Sequence, residues 1–184
     1  AGFRAALQEM TQRSQRFLEA TAMASDEAFQ SMLEQSLRAF TRRVGDLLDA
    51  ERASLFLVDR DRQQLVLRVA QDMPEGDYVR IPLTTGIAGA AAVSGEIVRV
   101  DDAYADPRFN KAVDAETGFR TRSMLCLPLQ DRSGRVFAVT QLLNRRDGQP
   151  FDDRDARRYQ EFASSLSVLL ESLVTLGNKP GSRL

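Results

Sequence analysis

Up to about Asp49 the apolar residues of this chain return every three or four positions; from Ala53 they return in short runs broken by turns. Phe29, Leu33, Leu37, Phe40, Val44 and Leu47 or Leu48 form a stripe along one side of a helix. Ala53–Asp59 and Gln64–Ala70 then read as strands, closed into a hairpin by Arg60-Asp61-Arg62. This switch of period commits the chain to helices laid on a sheet, because each element alone would leave an apolar face in water.

The remaining elements follow from local signals. Ser25-Asp26-Glu27 is a helix start, a capping residue followed by acids that suit the positive end of the helix. Before it, residues 2–24 carry Phe3, Leu7, Met10, Ser14, Phe17, Thr21 and Ala24 at heptad spacing. No Gly or Pro lies between Phe3 and Val44, so the two helices could form one rod with a break near Ser25. Residues 71–77, with Pro74 and Gly76, are a loop. Tyr78–Leu83 is a third strand, Gly86–Ser94 a short helix stopped by Gly95, and Ile97–Val100 a strand. Lys111–Thr117 is a second short helix. Ser123–Leu129 is a strand whose Pro128 favours an edge or a bulge, and Asp131-Arg132-Ser133-Gly134 turns it into Arg135–Asn144. Phe151-Asp152 opens a final helix with Tyr159, Phe162, Leu166, Leu169, Leu173 and Leu176 at heptad spacing. Strands joined by hairpins and short loops favour an antiparallel sheet, hence an α+β domain.

Composition narrows the chemistry. The 184 residues contain no histidine, which removes His-based triads, His metal sites and His-ligated haem. A net charge of −1 gives no electrostatic case for nucleic acid or an anionic membrane surface. The single cysteine, Cys126, excludes an internal disulfide and suits a reducing, cytoplasmic setting. No apolar run reaches the ~20 residues of a membrane helix. The chain opens on Ala1-Gly2 without Met, as expected of a piece of something longer.

The stretch Thr84–Leu129 carries the candidate site. Thr85-Gly86-Ile87-Ala88-Gly89 places glycines around a helix start, where the free N–H groups of Ile87 and Ala88 would face an anion. It lacks the Lys of a P-loop and the third Gly of a dinucleotide site. Carboxylate pairs such as Asp101 with Asp102 and Asp152 with Asp153 sit where solvation or capping accounts for them. Cys126 lies in an apolar strand with no base to activate it, so no catalytic residue is expected, and no metal site either.

Several strings together resemble a GAF domain, above all the regulatory GAF domains of cyclic-nucleotide phosphodiesterases and of bacterial adenylyl cyclases built like them. They are Ala53-Ser54-Leu55-Phe56-Leu57-Val58-Asp59, Ile81-Pro82 before Gly86-Ile87-Ala88-Gly89, and Asp102-Ala103-Tyr104-Ala105-Asp106-Pro107-Arg108-Phe109. Thr117-Gly118-Phe119-Arg120-Thr121-Arg122-Ser123, Leu125-Cys126-Leu127-Pro128-Leu129 and Gln141-Leu142-Leu143-Asn144 complete the set. The resemblance implies a six-stranded antiparallel sheet flanked by helices, with long N- and C-terminal helices and a buried cyclic nucleotide on one face. It implies Ser54 near the base, Ala70 and Gln71 at the base edge, and backbone N–H groups of Ile87 and Ala88 on the cyclic phosphate. Asn110 and Asp114 would belong to the lid, Thr117 and Thr121 would reach base or ribose, and Gln141 would face the base.

The positions of Gln71 and Gln141 resemble places where guanine-selective relatives carry carboxylates. An amide both donates and accepts, which matches the edge of adenine, so cAMP is favoured over cGMP. The family's Asn-Lys, Phe, Asp-Glu motif reads here as Asn144-Arg145, Phe151 and Asp155-Ala156, leaving Arg145 able to pair with Asp155. The expectation is a non-catalytic sensor whose ligand is the only small molecule it needs. Residues 1–25 would be a signalling helix, 26–176 the domain and 177–184 a tail, with a homodimer through the terminal helices. The rivals are a GAF module that only dimerises, a sensor of another small molecule, and the GAF-fold methionine sulfoxide reductases, which use several cysteines.

Overall fold

The structure, a computed structural model, describes residues 26–71, 73 and 78–177, together with residues 9, 12 and 13. The expected helix of residues 2–24, the Ser25 cap and most of the loop at 71–77 lie outside the described residues. In the final helix, the side chains of Leu166, Leu169, Leu173 and Leu176 do too.

The described elements are α1 (Asp26–Leu47), β1 (Ala50–Asp59), β2 (Gln64–Ala70), β3 (Val79–Pro82), α2 (Gly86–Ser94), β4 (Val98–Val100), a 3-10 turn at Ala103–Ala105, α3 (Lys111–Thr117), β5 (Met124–Gln130), β6 (Val136–Arg145) and α4 (Asp153–Gly177). The strands form one six-stranded sheet in the order β3-β2-β1-β6-β5-β4. Every neighbouring pair is antiparallel. The α+β fold expected from the sequence is the fold observed.

Turn chemistry fixes the hairpins. At the β1–β2 turn Asp59 accepts from the backbone N–H of Arg62 at 3.0 Å. At the β5–β6 turn the Asp131 carboxylate gathers the Ser133 hydroxyl, the Ser133 N–H and the Arg135 N–H. Those bonds, the Ser133 hydroxyl first, hold its pKa at about 2. Pro128 pairs with Val139 of β6, while the pairing of β5 with β4 stops at Cys126, so the proline stands where β5 has become an edge.

Alternation along the strands divides the core into two faces. On one face Leu55, Leu57, Leu125, Leu127, Leu129 and Leu142 meet α1 and α4. From α1 come Leu33, Leu37, Phe40 and Val44, as the helical stripe requires; from α4 come Tyr159 and Phe162. The Phe40 and Phe162 rings stack at 5.5 Å, and the Tyr159 hydroxyl donates to Thr140 Oγ1 at 2.9 Å. The first half of the C-terminal heptad is therefore spent inside its own chain. Arg145 at the end of β6 donates to Asp155 on α4 at 3.1 Å, the bridge expected from the motif.

The other face is covered by α2 and by the segment between β4 and β5. The chain crosses from the β3 edge of the sheet to the β4 edge through α2, which packs on β5 and β6. Its side chains are small, and Ile87, Ala88, Ala91 and Ala92 are buried. Gly89 admits no larger residue: an added Cβ would lie 2.7 Å from the carbonyl oxygen of Leu83. That contact seats the helix start against the end of β3.

Candidate ligand-binding site

The floor of the site is a row of residues running across the strands. Ser54 of β1 pairs with Ala70 of β2 on one side and with Gln141 of β6 on the other. Gln141 pairs in turn with Cys126 of β5, and Cys126 with Val98 of β4. Directly paired antiparallel residues point to the same side of a sheet, so the row faces one way. Cys126 and Val98 belong to the same apolar cluster as Ile87 and Ala88, which places the row beneath α2. Phe56, Val139 and Met124 build the apolar wall around it.

At the edge of this floor stands the α2 N-terminus. Gly86 takes φ +69°, which a glycine adopts freely, and Thr85 makes no side-chain cap bond. The first N–H groups of a helix have no carbonyl partner within it. Those of Ile87 and Ala88 therefore lie in the buried first turn with the positive end of the helix dipole behind them. An anion is the group such a corner suits. Across from it the Arg108 carbonyl oxygen comes within 3.9 Å of where a Gly86 Cβ would be. The Arg108 side chain forks onto Asp106 at 3.0 and 2.7 Å, which holds that carboxyl below its usual value.

The lid is knitted by short-range polar contacts. Asp102 caps the 3-10 turn through the N–H of Tyr104, and Asn110 caps α3 through the N–H of Ala112 at 3.1 Å. Asp114, buried, accepts from the Thr121 N–H and hydroxyl, both at 2.7 Å, and from the Tyr104 hydroxyl at 3.1 Å. The Arg120 guanidinium lies 3.4 Å above the Tyr104 ring. One carboxylate thus ties the 3-10 turn, α3 and the approach to β5 together.

The approach to β5 is also held from the sheet side. Asn144, fully buried with φ +53°, accepts from the N–H groups of Arg122 and Ser123 at 2.6 and 3.2 Å. Its amide donates to Glu51 and to the Arg120 carbonyl, both at 2.9 Å. Arg122 closes the knot by donating to Glu51 at 2.6 Å.

Of the residues singled out in the sequence, Ser54, Ala70 and Gln141 come together on the floor, and Ile87 and Ala88 stand beside them. Asp114 and Thr121 are brought together too, but to each other, with the hydroxyl hydrogen of Thr121 given to the carboxylate. Thr117 is exposed and donates its hydroxyl to the Val113 carbonyl at 2.8 Å, while Asn110 is exposed at its cap. Gln71 is exposed just past β2. Sequence reasoning missed Tyr104, the knot at Asn144 and the contact of Cys126 with Gln141. Only the Asn144-Arg145 string and the Tyr in Asp102–Phe109 could have signalled the first two.

Cys126 is completely buried, and burial pushes its thiol pKa well up, so it stays protonated and is no nucleophile. Among the described residues no group of three acidic or sulfur side chains could hold a metal ion, and no helix is long and apolar enough to cross a membrane.

Known proteins share the sequence and the fold of this chain. The chain is 38% identical over 146 residues, 71% of its length, to the dual 3',5'-cyclic-AMP and -GMP phosphodiesterase 11 of Drosophila melanogaster. It is 39% identical over 129 residues, 64% of its length, to the probable 3',5'-cyclic phosphodiesterase pde-5 of Caenorhabditis elegans. It spans only 10% and 17% of those relatives. Among solved structures, the GAF domain of a phosphoenolpyruvate-protein phosphotransferase from Coxiella burnetii matches with a TM-score of 0.72 at 20% identity, over 95% of this chain and 96% of that one. The free methionine-R-sulfoxide reductase of Neisseria meningitidis has the same fold, with a TM-score of 0.66 at 22% identity over 95% and 91% of the two chains. The family model described as "GAF domain" matches residues 32–170, and this chain belongs to that family.

Proposed function

We propose that this GAF domain is a regulatory sensor that binds a cyclic nucleotide, cAMP in preference to cGMP, on the floor formed by Ala70, Ser54 and Gln141. The observation that carries the reading is one juxtaposition. An uncharged strip on the sheet, with Ser54 and Gln141 as its polar members, lies under the anion-suited start of α2, with a lid closed by side-chain hydrogen bonds beside it. A planar base can lie on the strip while its cyclic phosphate meets the N–H groups of Ile87 and Ala88. The named relatives, which are cyclic-nucleotide phosphodiesterases, support the same ligand class.

Signalling needs no catalysis. A ligand that binds the closed lid better than the open one shifts that equilibrium by its differential affinity. In this reading α1 and α4, on the far face of the sheet, carry the shift toward an output domain and a second copy of the chain. The contact with that copy uses the α4 residues beyond Phe162 and residues 1–25, whose heptad spacing is read from the sequence. Titration calorimetry with cAMP and cGMP tests the reading: heat with cAMP at micromolar to millimolar ligand is expected. No heat and no thermal shift with either nucleotide overturns it. That outcome would favour the second reading, a ligand-free GAF module, for which one observation speaks: Asp114 and Thr121 already satisfy each other.

A further inference from the structure

We infer that Cys126 is a positioning residue that decides which end of the Gln141 amide a bound base meets. The two side chains are directly opposed across β5 and β6, and Cys126 Sγ lies 3.6 Å from Gln141 Oε1 with the thiol donating. An amide has one accepting and one donating end, and a half-turn about its last bond exchanges them. The thiol breaks that symmetry by giving its proton to the carbonyl end, its apolar surroundings offering that proton no other side-chain acceptor. It sits in an apolar cluster with Phe56, Val139 and Met124 and is wholly buried, so desolvation keeps its proton in place. With the carbonyl end of Gln141 turned to that proton, the NH₂ end is left for the open side of the floor.

The selectivity follows from donors and acceptors alone, and it rests on the cyclic-nucleotide reading above. A donor at Gln141 suits a ring-nitrogen acceptor of adenine. Against the N1–H and amino edge of guanine it opposes donor to donor and leaves buried polar groups unpaired, the arrangement that discriminates most strongly in a closed site. The preference for cAMP then resides in a contact the ligand never touches.

The test has one arm without ligand and one with it. Because the chain has one cysteine, its infrared S–H stretching band reports this thiol alone. The band should move on Gln141→Leu; an identical band in wild type and Gln141→Leu overturns the contact. In calorimetry, Cys126→Ser should keep the wild-type ratio of cGMP to cAMP dissociation constants, since a hydroxyl donates as the thiol does. Cys126→Ala should lower that ratio about threefold, the worth of one weak bond, and Gln141→Glu should lower it by about tenfold or more. A ratio unchanged in Cys126→Ala overturns the positioning role while leaving cAMP binding intact. Binding of neither nucleotide to the wild type overturns the ligand reading and the selectivity role together, and the infrared band still judges the thiol contact by itself.

Discussion

The two faces of the sheet are held by different physics. The α1–α4 face is held by area: leucine and aromatic side chains of α1 and the aromatic side chains of α4 meet six leucines of the strands, with the Tyr159–Thr140 hydrogen bond as a buried polar contact. The lid side of the α2 face is held by direction. Caps at Asp102 and Asn110, the carboxylate of Asp114 and the amide of Asn144 each fix a backbone segment at one or two atoms. Burial energy is spread over many contacts and is lost all at once. Hydrogen bonds of this kind are few, are exchanged for water at a net value of only ~1 kcal/mol each, and can be released segment by segment. In the proposed reading the contrast divides labour: one face makes the domain stable, and the other opens without unfolding it.

Three substitutions probe that division. Phe40→Ala empties the centre of the helix face and should lower global stability by about 4 kcal/mol, read as a drop in denaturant midpoint at constant m-value. Where the protein remains folded, its nucleotide affinity should stay near wild type; an equal loss of affinity would erase the distinction between the faces. Asp114→Ala removes the acceptor of three hydrogen bonds and should cost about 2 kcal/mol. Faster amide exchange should appear in α3 and residues 119–123 while α1 stays protected; exchange rising evenly through the whole domain would show that the lid does not open as a unit. Asn110→Ala, the smallest change, removes one cap and should cost about 1 kcal/mol, with faster exchange confined to the first turn of α3.

The fold was legible where local signals set it. The β5–β6 turn could be read because Asp131 and Gly134 are turn residues for reasons contained in four positions. Gly86–Ser94 and Lys111–Thr117 have the bounds read from the sequence because Gly95 and Gly118 end them in the left-handed conformation. The first strand begins three residues earlier than expected, at Ala50, since Glu51 and Arg52 have no alternating pattern and are recruited by pairing with β6. The gathering of Ser54, Ala70 and Gln141 on one face was legible from strand alternation, while the hydrogen-bond partners between β4 and β5 were not. Asp114 and Thr121 carry the right chemistry for a ligand, and nothing in a linear sequence says that they satisfy each other. Asn144 is harder still: its partner Glu51 is 93 residues away, and such a contact leaves no local trace.

The transverse row has an evolutionary consequence. Each of Ala70, Ser54, Gln141 and Cys126 comes from a different strand, and none of their side chains closes a turn or caps a helix; Ala70 enters the turn after β2 only through its carbonyl, which accepts from the Met73 N–H. In the proposed reading the letters of the row can therefore be exchanged one at a time, each altering what the floor offers a ligand, directly or through Gln141, while every loop keeps its length. A lineage carrying this sheet could change what it senses through point substitutions, with no insertion and no rebuilding of the frame.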